Sequence, residues 1–179
     1  LNTSFSSVVE AFARYQGVIS KFGGDSVMAI WNAPTDCQEH PLLATAAAIE
    51  AQRAVKELHK RGFTLPRINF GIGINTGKVI AGDIECGGSL EYSVIGDAVN
   101  IASRLTEAVP AGKVWVTLNT FEMVEDYFSA KSLPPLAVKG KRHLIKAYEV
   151  LNITHELTGA SETESRTSLS EVLCSPGRG

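Results

Sequence analysis

Two short apolar runs, Val18 to Phe22 and Ser26 to Trp31, meet at a pair of glycines, Gly23-Gly24. Strand-like runs joined in this way predict a tight β-hairpin. On both sides of the hairpin the apolar period changes. Upstream, Phe5, Val8, Val9, Phe12 and Tyr15 recur at helical spacing over Asn2 to Tyr15. Downstream, Asn32-Ala33-Pro34 breaks the second strand. Leu42 to Leu58 is then rich in Ala, Leu, Gln and Glu, lacks Gly and Pro, and predicts a long helix that Arg61-Gly62 ends. A chain that alternates these periods is neither all-α nor all-β, and predicts an α+β sandwich with helices against a sheet.

The alternation continues. Ile68 to Asn75 and Lys78 to Ile84 predict strands hinged at Thr76-Gly77, and their many glycines point to close backbone approach by another element. Tyr92 to Ile95 predicts a short strand, and Asp97 is placed to cap a helix reaching about Ala108. Lys113 to Thr117, a short helix around Asn119 to Tyr127, and strands near Leu136 to Val138 and Ile145 to Leu151 complete a domain spanning 1–151. From about Thr154 the apolar residues give way to Ser, Thr, Glu and Gly, so 152–179 reads as a flexible tail.

With 179 residues, 44% apolar and 20% charged, the chain can bury the core of one compact domain. A net charge of −2 excludes a non-specific nucleic-acid binder, which needs a basic face. Apolar runs such as Leu42 to Ile49 are too short to span a bilayer, and no targeting signal opens the chain, which reads as cytoplasmic. Cys37, Cys86 and Cys174 share no metal or redox spacing and read as free thiols of a reducing compartment. His40, His59, His143 and His155 are scattered and read as surface residues.

Two constellations can carry chemistry. At the hairpin tip, Lys21-Phe22-Gly23-Gly24-Asp25 offers a carboxylate suited to a hard cation such as Mg²⁺, although Asp is also a common turn residue. With Gly23-Gly24 as the loop, Phe22 faces Asp25, and Lys21 and Asp25 project from opposite faces. The second constellation is Tyr92-Ser93-Val94-Ile95-Gly96-Asp97-Ala98-Val99-Asn100, continuing through Ala102-Ser103-Arg104-Leu105. Asn100 and Arg104 stand at i, i+4 and share one helix face, an amide and a guanidinium suited to an oxyanion or phosphate. The bland counterpart is a solvated polar face with Arg104 paired to an acid. Lys139-Gly140-Lys141-Arg142 is a basic cluster, a solvated turn at least for Lys141 and Arg142.

Taken in order, these segments, with Trp31-Asn32-Ala33-Pro34, Gly73-Ile74-Asn75-Thr76-Gly77 and Val138-Lys139-Gly140, resemble the class III adenylate and guanylate cyclase catalytic domain. The resemblance covers roughly Leu1 to Leu151 and implies a ferredoxin-like (βαββαβ) sandwich with helices on a mainly antiparallel sheet. It implies head-to-tail homodimers with ATP sites in the interface, two Mg²⁺ or Mn²⁺ ions per site, and cyclic AMP as product. Position by position, Asp25 matches a metal-binding aspartate, Lys21 and Ser93 the pair that reads the purine, and Asn100 and Arg104 the residues that orient the ribose and stabilise the transition state. Lys139 matches a position that contacts the terminal phosphates. The family's opening strand, with the other metal aspartate and a phosphate-cradling turn, is expected upstream of Leu1, as is any sensor or membrane domain. Residues 1–179 alone are therefore expected to be nearly inactive.

Ser93 stands where many members carry Asp, which is similar to an adenylate cyclase subgroup with Thr or Ser there. Gly71 stands where some members have a basic residue. A diguanylate cyclase, suggested by Gly23-Gly24-Asp25, needs an acid where Ser26 stands and gives no account of Tyr92 to Leu105. A guanylate cyclase would want an acid at Lys21, which can only donate. The alternative from another class is a cyclase-like regulatory domain that binds nucleotide or a partner without turnover.

Overall fold

The computed structural model describes residues 2–62, 68–86, 89–137 and 144–154. Helix α1 (Asn2–Arg14) leads through Gln16 and Gly17 into the hairpin β1 (Val18–Gly23) and β2 (Ser26–Ile30). Then follow α2 (His40–Lys60), β3 (Ile72–Ile74), β4 (Ile80–Cys86), β5 (Ser89–Ile95) and α3 (Asp97–Ala108). Strand β6 (Val114–Thr117), the single turn α4 (Leu118–Phe121), β7 (Phe128–Ser132) and β8 (Ala147–Ile153) close the order.

The central sheet runs β3-β6-β8-β7. Its β3–β6 pair is parallel and its other pairs antiparallel, as a mainly antiparallel α+β sandwich requires. β1–β2 and β4–β5 form two further antiparallel ribbons.

All four residues of β6 are buried, so this strand is covered on both faces. Alternation sends Val114 and Val116 one way, into a core with Val8, Phe12 and Tyr15 of α1 and Leu43, Ala47, Ile49 and Val55 of α2. Trp115 goes the other way and packs with Leu105 of α3, Val109 just after that helix, and Ala147 of β8. Buried Gln52 ties α2 to the sheet, its Nε2 donating to Phe70 O at 2.7 Å and Lys113 O at 3.2 Å. Trp31 locks the α1–β1 junction: its Nε1 donates to Tyr15 O at 2.8 Å, and its ring lies edge-on to Phe12 at 5.5 Å. Lys113 Nζ donates to Glu149 Oε1 at 2.6 Å across β6 and β8, and this bond holds the Glu149 carboxyl below its ordinary value.

Several sequence expectations are corrected. The hairpin loop is Gly24-Asp25, not Gly23-Gly24: Gly23 pairs with Ser26, Phe22 with Val27 and Lys21 with Met28. Gly24 takes φ +63 and nothing crowds it, so the first loop position, rather than the strand end, receives the residue that adopts this conformation freely. Asp97 is the first helical residue of α3 and Gly96 the N-cap, so Asp97 contributes its charge to the first turn rather than a cap. The predicted strand from Ile68 shrinks to Ile72–Ile74; of the strand expected over Leu136 to Val138, Leu136 forms an isolated bridge with Ile145 and Val138 lies outside the described residues. The helix expected through Tyr127 stops after one turn, and β7 follows unannounced. The last strand, β8, spans Ala147–Ile153 rather than Ile145 to Leu151. His40 and His59 are half-buried rather than surface residues. His143, Cys174 and the tail from residue 155 lie outside the described residues.

Phe128, at the start of β7, is 1% exposed and belongs to the main core. Phe128→Ala should cost about 3–5 kcal/mol of stability, read from urea denaturation midpoints; a loss under about 1 kcal/mol would contradict this packing.

Candidate active site

The site candidates sit on three neighbouring pieces: the β1–β2 tip, the β4–β5 ribbon and α3. Lys21 lies on β1, exposed, and Asp25 in the loop at the tip, also exposed. Ser93 lies half-buried on β5 opposite Gly82 of β4. β1 and β5 belong to separate two-stranded ribbons that touch, with Lys21 on one ribbon and Ser93 on the other. β5 passes through Gly96 directly into α3, where Asn100 is exposed and Arg104 half-buried one turn on. The opposite-face relation expected of Lys21 and Asp25 does not carry over. Asp25 belongs to the turn, and the pairing is irregular between Ile19 and Lys21. Lys139 lies outside the described residues.

The pose of α3 depends on glycines. A Cβ on Gly73 would stand 2.7 Å from the backbone nitrogen of Thr106, and one on Gly71 2.5 Å from Val109 O. A Cβ on Gly77 would stand 2.8 Å from the Cβ of Ala98. These are the close approaches that the glycine content of the strands pointed to, and the partner is α3. Its inner stripe, Ala98, Ala102 and Leu105, faces the sheet at helical spacing, which turns Asn100 outward.

Sequence reasoning missed a polar network beneath this helix. Asn75 Nδ2 donates to Ala98 O at 3.0 Å, and Thr117 Oγ1 donates to Asn75 Oδ1 at 2.7 Å. Thr120 Oγ1 donates to Thr76 Oγ1 at 3.0 Å. The available signal was the Asn75-Thr76 pair inside the Gly73-to-Gly77 motif, two polar residues at a strand end and its hinge with no hydrogen-bond partner assigned.

Asp25 offers the oxygen donor that Mg²⁺ or Mn²⁺ prefers, on an accessible turn, so it fits one ligand position of such an ion. Among the described residues no three His, Cys, Asp or Glu side chains gather into a complete metal site.

A model of the adenylate and guanylate cyclase catalytic domain matches residues 1–152. The chain belongs to this family. Over 157 residues the cyclase domain is 32% identical to the terminal-differentiation-specific adenylate cyclase of Dictyostelium discoideum, a match covering 85% of the chain but 7% of that protein's length. Its fold matches the adenylyl cyclase CyaB from P. aeruginosa with a TM-score of 0.77 at 26% identity, over 84% of this chain and 80% of that one. It matches the guanylyl cyclase Cya2 with a TM-score of 0.78 at 28% identity, over 88% and 81%. Adenylyl and guanylyl cyclases thus share this ferredoxin-like architecture, and the choice of base rests on individual side chains. The family is metal-dependent, working with Mg²⁺ or Mn²⁺. Among the described residues no helix is long and apolar enough to cross a membrane.

Gly73 and Gly24 should respond differently to alanine. Gly73→Ala drives a methyl into the backbone of α3 and should cost about 3 kcal/mol, the upper end for overpacking. Gly24→Ala meets nothing within 4 Å and should cost only the left-handed penalty of roughly 1–2 kcal/mol. Denaturation curves of the two variants check the order; equal losses would count against a tight α3–β3 contact.

Proposed function

We propose that this cyclase domain is an adenylate cyclase, converting ATP to 3′,5′-cyclic AMP and pyrophosphate at an interface between two copies of the chain, on the cytoplasmic side of any membrane that an upstream region reaches. The observation that supports the reading is the contact between the ribbon that bears Lys21 and the ribbon that bears Ser93. Adenine shows N1 as an acceptor and its exocyclic amine as a donor. The Lys21 ammonium donates to N1 and the Ser93 hydroxyl accepts from the amine. Guanine reverses both polarities on that edge.

Asn100 holds the ribose, so that its 3′-oxygen stands in line with the α-phosphate and the pyrophosphate leaving group. As the new P–O bond forms and the old one breaks, negative charge builds on the phosphoryl oxygens, and the Arg104 guanidinium meets it. Lys139 contacts the terminal phosphates. Asp25 supplies a carboxylate to Mg²⁺ or Mn²⁺, which when bound lowers the pKa of the attacking hydroxyl and offsets charge on the leaving phosphates. The second aspartate for the ion pair comes from the family's opening strand.

The dimer is supported by exposed apolar side chains on the elements that carry the site. Ile80 and Ile95, paired across β4–β5, are 79% and 60% exposed, and Phe22 at the hairpin tip is 63% exposed. Apolar groups grouped in this way favour burial against a partner surface, here a second copy placed head to tail. Asp25 of one copy then serves the site whose Lys21, Ser93, Asn100 and Arg104 belong to the other.

Base choice is tested in the full-length protein by kcat/KM for ATP and GTP. The unmutated enzyme should prefer ATP by about tenfold or more, since each mismatched buried polar group costs about 1–3 kcal/mol. Lys21→Glu should lower ATP use and narrow the gap, and Ser93→Ala should do less, because a hydroxyl can also rotate and donate. Equal use of both nucleotides by the unmutated enzyme would refute the assignment, and nucleotide binding without any turnover would favour the regulatory alternative.

Shared sites have their own test. Asp25→Ala and Arg104→Ala proteins should each be nearly inactive, and mixing them should restore one working site per heterodimer. Heterodimers that form without recovering activity would rule out a site divided between chains.

A further inference from the structure

The hydrogen bonds that join Asn75, Thr117, Thr76 and Thr120 take no part in the chemistry above. Asn75 stands in the loop directly after β3, half-buried, and its side chain is used at both ends. Its Nδ2 donates to Ala98 O at 3.0 Å and its Oδ1 accepts from Thr117 Oγ1 at 2.7 Å. Thr117 is the buried last residue of β6, and Thr120, fully buried in α4, donates to Thr76 Oγ1 at 3.0 Å beside it. Ala98 lies in the first turn of α3. A carbonyl oxygen has two lone pairs, so that of Ala98 can take the Asn75 amide while keeping its place in the helix ladder.

This arrangement does something that packing cannot. Gly73 and Gly77 let α3 approach the sheet and set its distance from it. Contacts between small side chains leave the helix free to slide along its axis or roll about it by fractions of an ångström. A planar amide that donates at one end and accepts at the other fixes direction as well as distance. Asn100 follows two residues after Ala98, on the turn so held, and Arg104 one turn further on.

We propose that Asn75 is a positioning residue for cyclisation. Acting through the Ala98 carbonyl, and itself aimed by Thr117, it sets the slide and roll of α3 that bring Asn100 and Arg104 to the reacting phosphate. This role rests on the cyclase reading of those two residues, and Asn75 itself touches no substrate atom in it. Displacing a catalytic group by about 1 Å can cost on the order of a hundredfold in rate.

The test uses the full-length protein and five variants: Asn75→Ala; Asn75→Asp, which keeps the acceptor and loses the donor; Thr117→Val, which keeps shape and loses the hydroxyl; Thr117→Ser, which keeps the hydroxyl; and the Asn75→Ala/Thr117→Val pair. Per folded molecule, kcat should fall at least tenfold in both Asn75 variants and severalfold in Thr117→Val, with KM for the nucleotide within about twofold. Thr117→Ser should stay close to the unmutated enzyme, and the pair should be no worse than Asn75→Ala alone, as for residues acting through one linkage. A purely structural role would lower Tm yet leave kcat per folded molecule unchanged, and that result would overturn the proposal, as would losses that simply add in the pair. Amide hydrogen exchange supplies a readout independent of turnover. Residues 99–102 should exchange faster in Asn75→Ala while α2 stays as protected as before. If the unmutated protein forms no cyclic nucleotide, the cyclase reading fails. Exchange then judges the tether alone: unchanged rates at 99–102 sink it, and faster rates uphold it.

Discussion

Helix α3 lies so close to β3 that both the backbone and the hydroxyl of Thr106 stand against Gly73. At Gly71 and Gly73 even a methyl group would run into Val109 and Thr106, and at Gly77 into Ala98. Once the helix sits this close, its inner stripe is confined to small or well-fitted residues such as Ala98 and Ala102, while Leu105 and Val109 can reach Trp115. Asn100 is thereby turned toward solvent, where a nucleotide could approach it. Gly71 also accounts for one departure from the family pattern. At this separation a basic side chain would have to start from a Cβ lodged against Val109 O.

The strand β6 organises what lies on either side of that contact. Buried on both faces, it gives Val114 and Val116 to the core under α1 and α2, and Trp115 to the smaller core under α3. The larger core is set by α1 and by α2, which is buried on all faces from Pro41 to Ile49, with Gln52 reaching through to the carbonyls that flank β3 and β6. Of the residues assigned to the nucleotide, Asn100 and Arg104 sit on α3, whereas the hairpin that carries Lys21 and Asp25 packs through Ile19, Val27 and Ala29 on the α1–α2 core.

Much of the candidate site is exposed, as is its apolar surround at Phe22, Ile80 and Ile95. That fits a site built between two chains, since charged groups act most strongly on phosphate once a partner has excluded water.

The sequence by itself determined the elements whose signals are local. Helical spacing in α1, the Gly-free run of α2 and the glycine-joined apolar runs of the first hairpin depend on neighbours within a few residues, and each is present close to its expected place. Candidate site residues were legible for the same reason, because Tyr92 to Leu105 keeps strand, turn and helix face in one stretch. Strand β7 was illegible, for it is an edge strand that anchors itself with Phe128 alone and leaves Ser129 to Ser132 largely in solvent, so no alternation marks it. The hairpin register was decided by which glycine takes the positive φ, a choice that two adjacent glycines leave open. The link from Asn75 to Thr117, 42 positions apart in the chain, and the seating of α3 on Gly73 were decided only by tertiary structure. They are contacts between segments that the parallel pairing of β3 with β6 brings together, and nothing in the local sequence of either segment specifies the other.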